Sequence, residues 1–170
     1  MMHHARVRKQ RLEIYLLRHA DAGDPAAWDG DDALRPLSPK GTRQAERLAR
    51  FLSANGFRPD RIVSSPKLRA SQTASIVATA IGVPVAIDER LAEGFDLNRL
   101  DEIVGATDAP RTVLVGHDPD FSSLLAELTG AKSSSLSKGA LARVDFDAKP
   151  RRNNGTLRWL IPPDALKPSS

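Results

Sequence analysis

Two short, almost uninterrupted apolar runs constrain the fold of this chain more than any other feature: Leu12–Arg18 (LEIYLLR) and residues 112–116 (TVLVG). A strand with one wet face alternates apolar and polar residues. A continuous run is expected where both faces are covered, as in a parallel sheet with helices on either side. The sequence between the runs supplies such helices. Ser38 is an N-cap residue and Pro39 suits the first helical position. Ala45, Leu48, Ala49 and Leu52 then recur at helical spacing, and Gly56 stands where a C-terminal cap belongs. Ser65 and Pro66 repeat this start for a helix running through Ile76 and Val77 to Gly82. Asp118 and Pro119 open a third, with Leu124, Leu125 and Leu128 on its core face and Gly130 at its end. Residues 96–104 read as a further short helix. Arg61–Ser64, 83–87, 140–146 and Thr156–Ile161 read as strands. Strands alternating with helices predict an α/β fold, a mainly parallel sheet flanked by helices.

At 170 residues the chain fits one domain with a core that buries roughly 70% of the unfolded surface. The expected division is a basic N-terminal tail (1–11), a single domain (12–161) and a C-terminal tail (162–170). The net charge of +4 belongs to the tail: Arg6, Arg8, Lys9 and Arg11 stand there without an acid, and the remaining basic residues match the 21 acidic ones. A neutral body and 5% aromatic residues speak against nucleic acid as a partner, because single-strand binding needs a charged groove with stacking aromatics. The absence of cysteine excludes disulfide, thiolate-metal and cysteine-nucleophile chemistry. No run approaches the ~20 apolar residues that span a bilayer. The run at 12–17 is too short for a signal peptide's apolar segment. A cytoplasmic protein without a membrane partner is expected.

The chemistry-bearing residues fall at strand ends. His19 follows the first apolar run and His117 follows the second. Ligands of open α/β sheets bind outside the carboxyl ends of the strands, so the two histidines can face one pocket. Arg18 precedes His19. Arg69 falls in the first turn of the helix beginning near Ser65, where free N–H groups and the helix dipole attract anions and a guanidinium adds a planar fork. Arg35 closes a long loop, 20–37, that carries Asp21, Asp24, Asp29, Asp31 and Asp32. It either contacts an anion or pairs with one of those aspartates. Nucleotide-binding GxxxxGK[ST] and GxGxxG motifs and the metal motif HExxH are missing. Counted from Asp29 as a calcium loop, the sixth and twelfth positions are Leu34 and Lys40, where glycine and glutamate are needed. Metal-independent anion chemistry is what the residues favour, and no metal or cofactor is expected.

Four blocks in order carry a family resemblance: LLRHADAG (16–23), RPLSPKGTRQAERLARFL (35–52), SSPKLRASQTA (64–74) and VLVGHDPDFSSLLAEL (113–128). The first resembles the RHG signature of the histidine phosphatase superfamily, also called phosphoglycerate mutase-like. The set is most similar to the short bacterial phosphohistidine phosphatases of the SixA type. The resemblance covers residues 12–161 and implies a three-layer α/β/α fold. It makes His19 the nucleophile, Arg18 and Arg69 the phosphate-pocket arginines, His117 the second pocket histidine and Arg35 a further phosphate contact. Ala20 replaces the family's frequent glycine, as in SixA-like sequences. Glu93, in RLAEGF, is the candidate proton donor, with a solvent-facing loop glutamate as the alternative.

The resemblance implies a phosphatase acting through a covalent phosphohistidine. Its substrate is then a phosphorylated protein, such as a histidine-containing phosphotransfer domain, or a small phosphomonoester. Two alternatives stand beside it: a phosphoglycerate mutase-like or small-metabolite phosphomonoesterase, and a non-enzymatic anion- or nucleic-acid-binding protein using the basic tail.

Overall fold

The structure, a computed structural model, describes residues 11–168, so the basic tail apart from Arg11 lies outside the described residues. The chain runs β1 (Leu12–Arg18), α1 (Pro39–Ala54), β2 (Arg61–Ser64), α2 (Leu68–Ile81), β3 (Val85–Ile87), α3 (Leu97–Gly105), β4 (Arg111–Gly116), α4 (Asp120–Thr129), β5 (Leu141–Phe146) and β6 (Thr156–Ile161). The six strands form one sheet in the order β3-β2-β4-β1-β5-β6. β3, β2, β4 and β1 are parallel, while β5 and β6 complete the sheet antiparallel. The expected α/β/α architecture is thus present.

The two apolar runs occupy the centre, β4 beside β1, which explains their composition. Alternate residues of a strand face opposite sides of the sheet. Ile14 and Leu16 enter one core with Leu100, Ile103, Phe121, Leu124 and Leu128 from α3 and α4. Tyr15 and Leu17 enter the other with Leu48, Leu52, Val77 and Ile81 from α1 and α2. The middle of each central strand, residues 14–17 and 113–115, is therefore apolar throughout.

Helix α1 begins as expected: Ser38 Oγ accepts the Gly41 N–H at 3.0 Å and Pro39 is the first helical residue. Helix α2 departs from expectation. It begins at Leu68 with Lys67 in the capping position and no side-chain cap bond. Ser65 instead caps a tight turn, accepting the Lys67 N–H at 3.2 Å. The serine is diverted to a histidine, as described below. The loop 20–37 is not structureless: Asp24 and Asp31 each cap a single 3-10 turn, at Pro25–Ala27 and Asp32–Leu34. From Pro163 the chain, expected as a tail, forms another such turn, with Pro163 buried and Leu166 packed against the α1/α2 core.

Candidate active site

β1 and β4 are parallel neighbours with Arg18 opposite Gly116. The residue following each strand therefore lands beside its counterpart. The His19 N–H donates to the Gly116 carbonyl at 3.0 Å, and the two imidazole centroids are 5.2 Å apart. Both histidines are buried, at 7% exposure. Helix α1 closes on the same place. Gly41 sits in its first turn, where any Cβ would collide with the Asp21 carbonyl. Gln44 Oε1 accepts the Asp21 N–H at 2.9 Å. From α2, the Thr73 hydroxyl donates to the Arg69 carbonyl at 2.8 Å and accepts the Ala20 N–H at 3.1 Å. The turn after His19 is thus held from two helices.

The histidine partners define the tautomers. His19 Nδ1 lies 2.7 Å from the Ala20 carbonyl oxygen. That oxygen can only accept, so Nδ1 carries the proton and the lone pair of the neutral ring resides on Nε2. Burial, reinforced by the charges of Arg69, Arg18 and Lys138, pushes the His19 pKa down to about 4. His117 Nε2 lies 2.7 Å from Ser65 Oγ. The buried Ser65 hydroxyl, which accepts the Lys67 N–H, has no other acceptor for its own proton among the described residues, so it donates to Nε2 and leaves the ring proton on Nδ1. Burial, then His19, Arg69 and Lys67, push the His117 pKa down to about 3. At neutral pH the site holds two uncharged imidazoles, one offering a lone pair and the other an N–H.

Cations surround them, each beside a carboxylate. Arg18 donates to the Leu136 carbonyl at 2.8 Å and lies 3.4 Å from Asp118. Asp118 in turn accepts the Ser122 N–H at 3.0 Å and its hydroxyl at 2.6 Å. Arg69 directs both terminal nitrogens at Asp32, one to its carbonyl at 2.8 Å and one to its carboxylate at 2.9 Å. Arg35 donates to the other carboxylate oxygen of Asp32 at 3.0 Å and to the Ala22 carbonyl at 2.7 Å. The Arg35 hydrogen bond, then Arg69, hold the Asp32 pKa below the usual carboxylate value. Lys138 pairs with Asp21 and Lys67 with Glu93, both at 3.3 Å.

Of the residues singled out from sequence, His19, His117, Arg18 and Arg69 come together in one buried cluster. Arg35 is joined to it through Asp32, so for this arginine pairing with a loop aspartate is the arrangement found. Glu93 lies at the edge, its side chain 85% exposed and held by Lys67. Ser65, Thr73, Asp32 and Asp118 complete the arrangement without having been singled out as site residues. Asp32 alone had a usable signal, as one of the loop aspartates open to pairing with Arg35. Among the described residues, three buried side-chain polar atoms have no hydrogen-bond partner: Arg18 Nε, Arg69 Nε and His117 Nδ1. Unpaired buried donors are costly and rare. Here all three belong to the same cluster, which can therefore receive an oxyanion beside the free lone pair of His19.

Fold and site define the class. The chain belongs to the histidine phosphatase superfamily (branch 1), whose sequence pattern matches residues 14–97. Within it, phosphohistidine phosphatase SixA of Escherichia coli K12 is 29% identical over 162 residues, covering 92% of this chain and 97% of that protein. An uncharacterized protein of Picosynechococcus is 40% identical over 117 residues, 65% of this chain and 68% of the other. A protein histidine phosphatase SixA solved with tungstate superimposes with a TM-score of 0.80 at 25% identity, covering 92% of this chain and all of that one. Among the described residues no helix is long and apolar enough to cross a membrane.

Proposed function

We propose that this chain is a metal-independent phosphohistidine phosphatase that works through a covalent phosphohistidine on His19. The observation that carries this reading is that the three buried side-chain atoms left without a hydrogen-bond partner among the described residues, Arg18 Nε, Arg69 Nε and His117 Nδ1, all belong to residues grouped around His19, whose Nδ1 is engaged and whose Nε2 is not. A tetrahedral phosphoryl group has oxygens for those donors and a phosphorus for the lone pair. The resemblance to a SixA that takes tungstate, another tetrahedral oxyanion, supports the same ligand chemistry.

In this reading Nε2 of His19 attacks phosphorus in line while the bond to the leaving group breaks. Arg18, Arg69 and the His117 N–H stabilise charge on the equatorial oxygens, the term that dominates phosphoryl transfer. Arg35 acts from behind, fixing Asp32 on Arg69. Glu93, ion-paired with Lys67 at the exposed edge, is the candidate to relay a proton from solvent to the leaving atom, and it would have to take up that proton and release Lys67 to do so. A phosphohistidine substrate leaves as imidazole, which asks less of that acid than an alkoxide would. Water then cleaves the N–P bond, releasing orthophosphate and regenerating His19. A phosphorylated protein fits the site. Between β1 and α1 the chain inserts two single 3-10 turns, and between β3 and α3 one, so among the described residues these insertions form no capping domain.

The test is a phosphoenzyme trap. With a labelled phosphodonor and an alkaline quench, the protein is expected to carry an acid-labile phosphate that is missing in His19→Ala and forms equally in chelator. Labelling of His19→Ala at the wild-type level overturns the assignment.

A further inference from the structure

A phosphate site is expected to hold a surplus of positive charge, and this one holds little. Five cations stand around the histidines, and four carboxylates of the same chain are paired with them. Asp32 is distinctive among the four because it alone serves two arginines, Arg35 and Arg69. The two guanidinium side chains are buried, at 9% and 7% exposure, whereas the Asp32 side chain is 54% exposed. The carboxylate therefore reaches solvent while both arginines it pairs with are buried, and it lies near enough to His117 to act on that ring's charge. A phosphoryl group held beside His19 and Arg69 would have this solvent-reaching carboxylate, bonded to the same arginine, among its neighbours.

We propose that Asp32 is a specificity-determining residue that selects phosphoryl groups whose carrier brings no second negative charge close to phosphorus. The inference rests on the phosphohistidine reading and deepens it: the neutral imidazole of a phosphohistidine satisfies the condition, and a phosphomonoester with an adjoining carboxylate does not. The geometry gives Asp32 two separable effects. Its grip on Arg69, through the backbone carbonyl as well as the carboxylate, orients the remaining Nε and affects every ligand alike. Its charge repels the phosphoryl group of every ligand to the same degree and, beyond that, repels any further anionic group the ligand carries, so only the second part changes the ratio between ligands. One extra unit charge at several ångströms, between protein-like and water-like dielectric, changes affinity by about tenfold.

Binding separates the two effects without requiring turnover. Calorimetric affinities for orthophosphate and for 3-phosphoglycerate are measured on the full chain, on Asp32→Asn and on Asp32→Glu. The exposed loop position makes both variants foldable, which a thermal melt checks. The expected result is that Asp32→Asn improves 3-phosphoglycerate relative to orthophosphate by about tenfold, while Asp32→Glu keeps the wild-type ratio. An unchanged ratio in Asp32→Asn overturns the proposal. This includes the case in which both affinities fall together, since Asp32 is then only the clamp on Arg69. A shifted ratio in a protein that forms no phosphoenzyme would remove the catalytic reading and leave the charge selection standing.

Discussion

Lowering the pH from 7 to 5 tests the electrostatics of the site directly. His19 and His117 are held at pKa values of about 4 and about 3, chiefly by burial, against 6.5 for the free side chain. The unfolded chain takes up a proton on each of these histidines as the pH falls through 6.5, and the folded chain does not. The unfolded state therefore binds more protons in this window, and stability declines with falling pH. Between pH 7 and pH 5 each histidine costs the fold about 2 kcal/mol, or about 4 kcal/mol for the pair. Carboxylates held low, such as Asp32 and Asp21, add to the loss in the same direction but mostly below this window. The assay is urea unfolding at pH 7, 6 and 5, in the wild type and in His19→Gln, alongside an imidazole NMR titration of the folded protein. The wild type is expected to lose about 4 kcal/mol and the variant about half as much. NMR titration of either ring near 6.5, or an equal loss in the variant, would refute the burial of two neutral imidazoles.

Two further outcomes follow from contacts around the histidines. Ser65→Ala removes the partner of His117 Nε2 and lets the ring proton leave Nδ1; kcat with a phosphodonor is expected to fall about tenfold, the scale of one hydrogen bond, while the melting temperature stays near that of the wild type. Gly41→Ala places a methyl group against the Asp21 carbonyl and should destabilise the protein by about 1–3 kcal/mol, the usual range for overpacking, read by denaturant unfolding.

What the sequence disclosed follows from the range of the interactions concerned. β1 and β4 were legible because burial on both faces makes the middle of each strand apolar without a break. His19 and His117 were legible because each directly follows such a run. Ser65 was misread as a helix cap, since a capping serine and one aimed at a histidine look alike until the fold supplies the histidine 52 residues away. The aspartates of loop 20–37 looked equivalent in sequence. Asp24 and Asp31 cap local turns, whereas Asp32 meets Arg69, 37 residues on, a contact that only the packing of that loop on α2 creates. Glu93 was a candidate through family resemblance; Leu91 and Phe95 on either side of it are buried in the core, and its own side chain turns outward to Lys67.

The adjacency of β1 and β4 also bears on how activity arises during folding. The two histidines stand at positions 19 and 117, and everything from α1 to α3 is threaded between the strands that bring them together. Parallel pairing of distant segments closes a long loop and is slow to form. An intermediate that has formed only the first helices holds one histidine without its counterpart. Catalytic competence should therefore emerge with the last long-range step, so that recovered phosphatase activity reports complete refolding and no fragment ending before β4 has any.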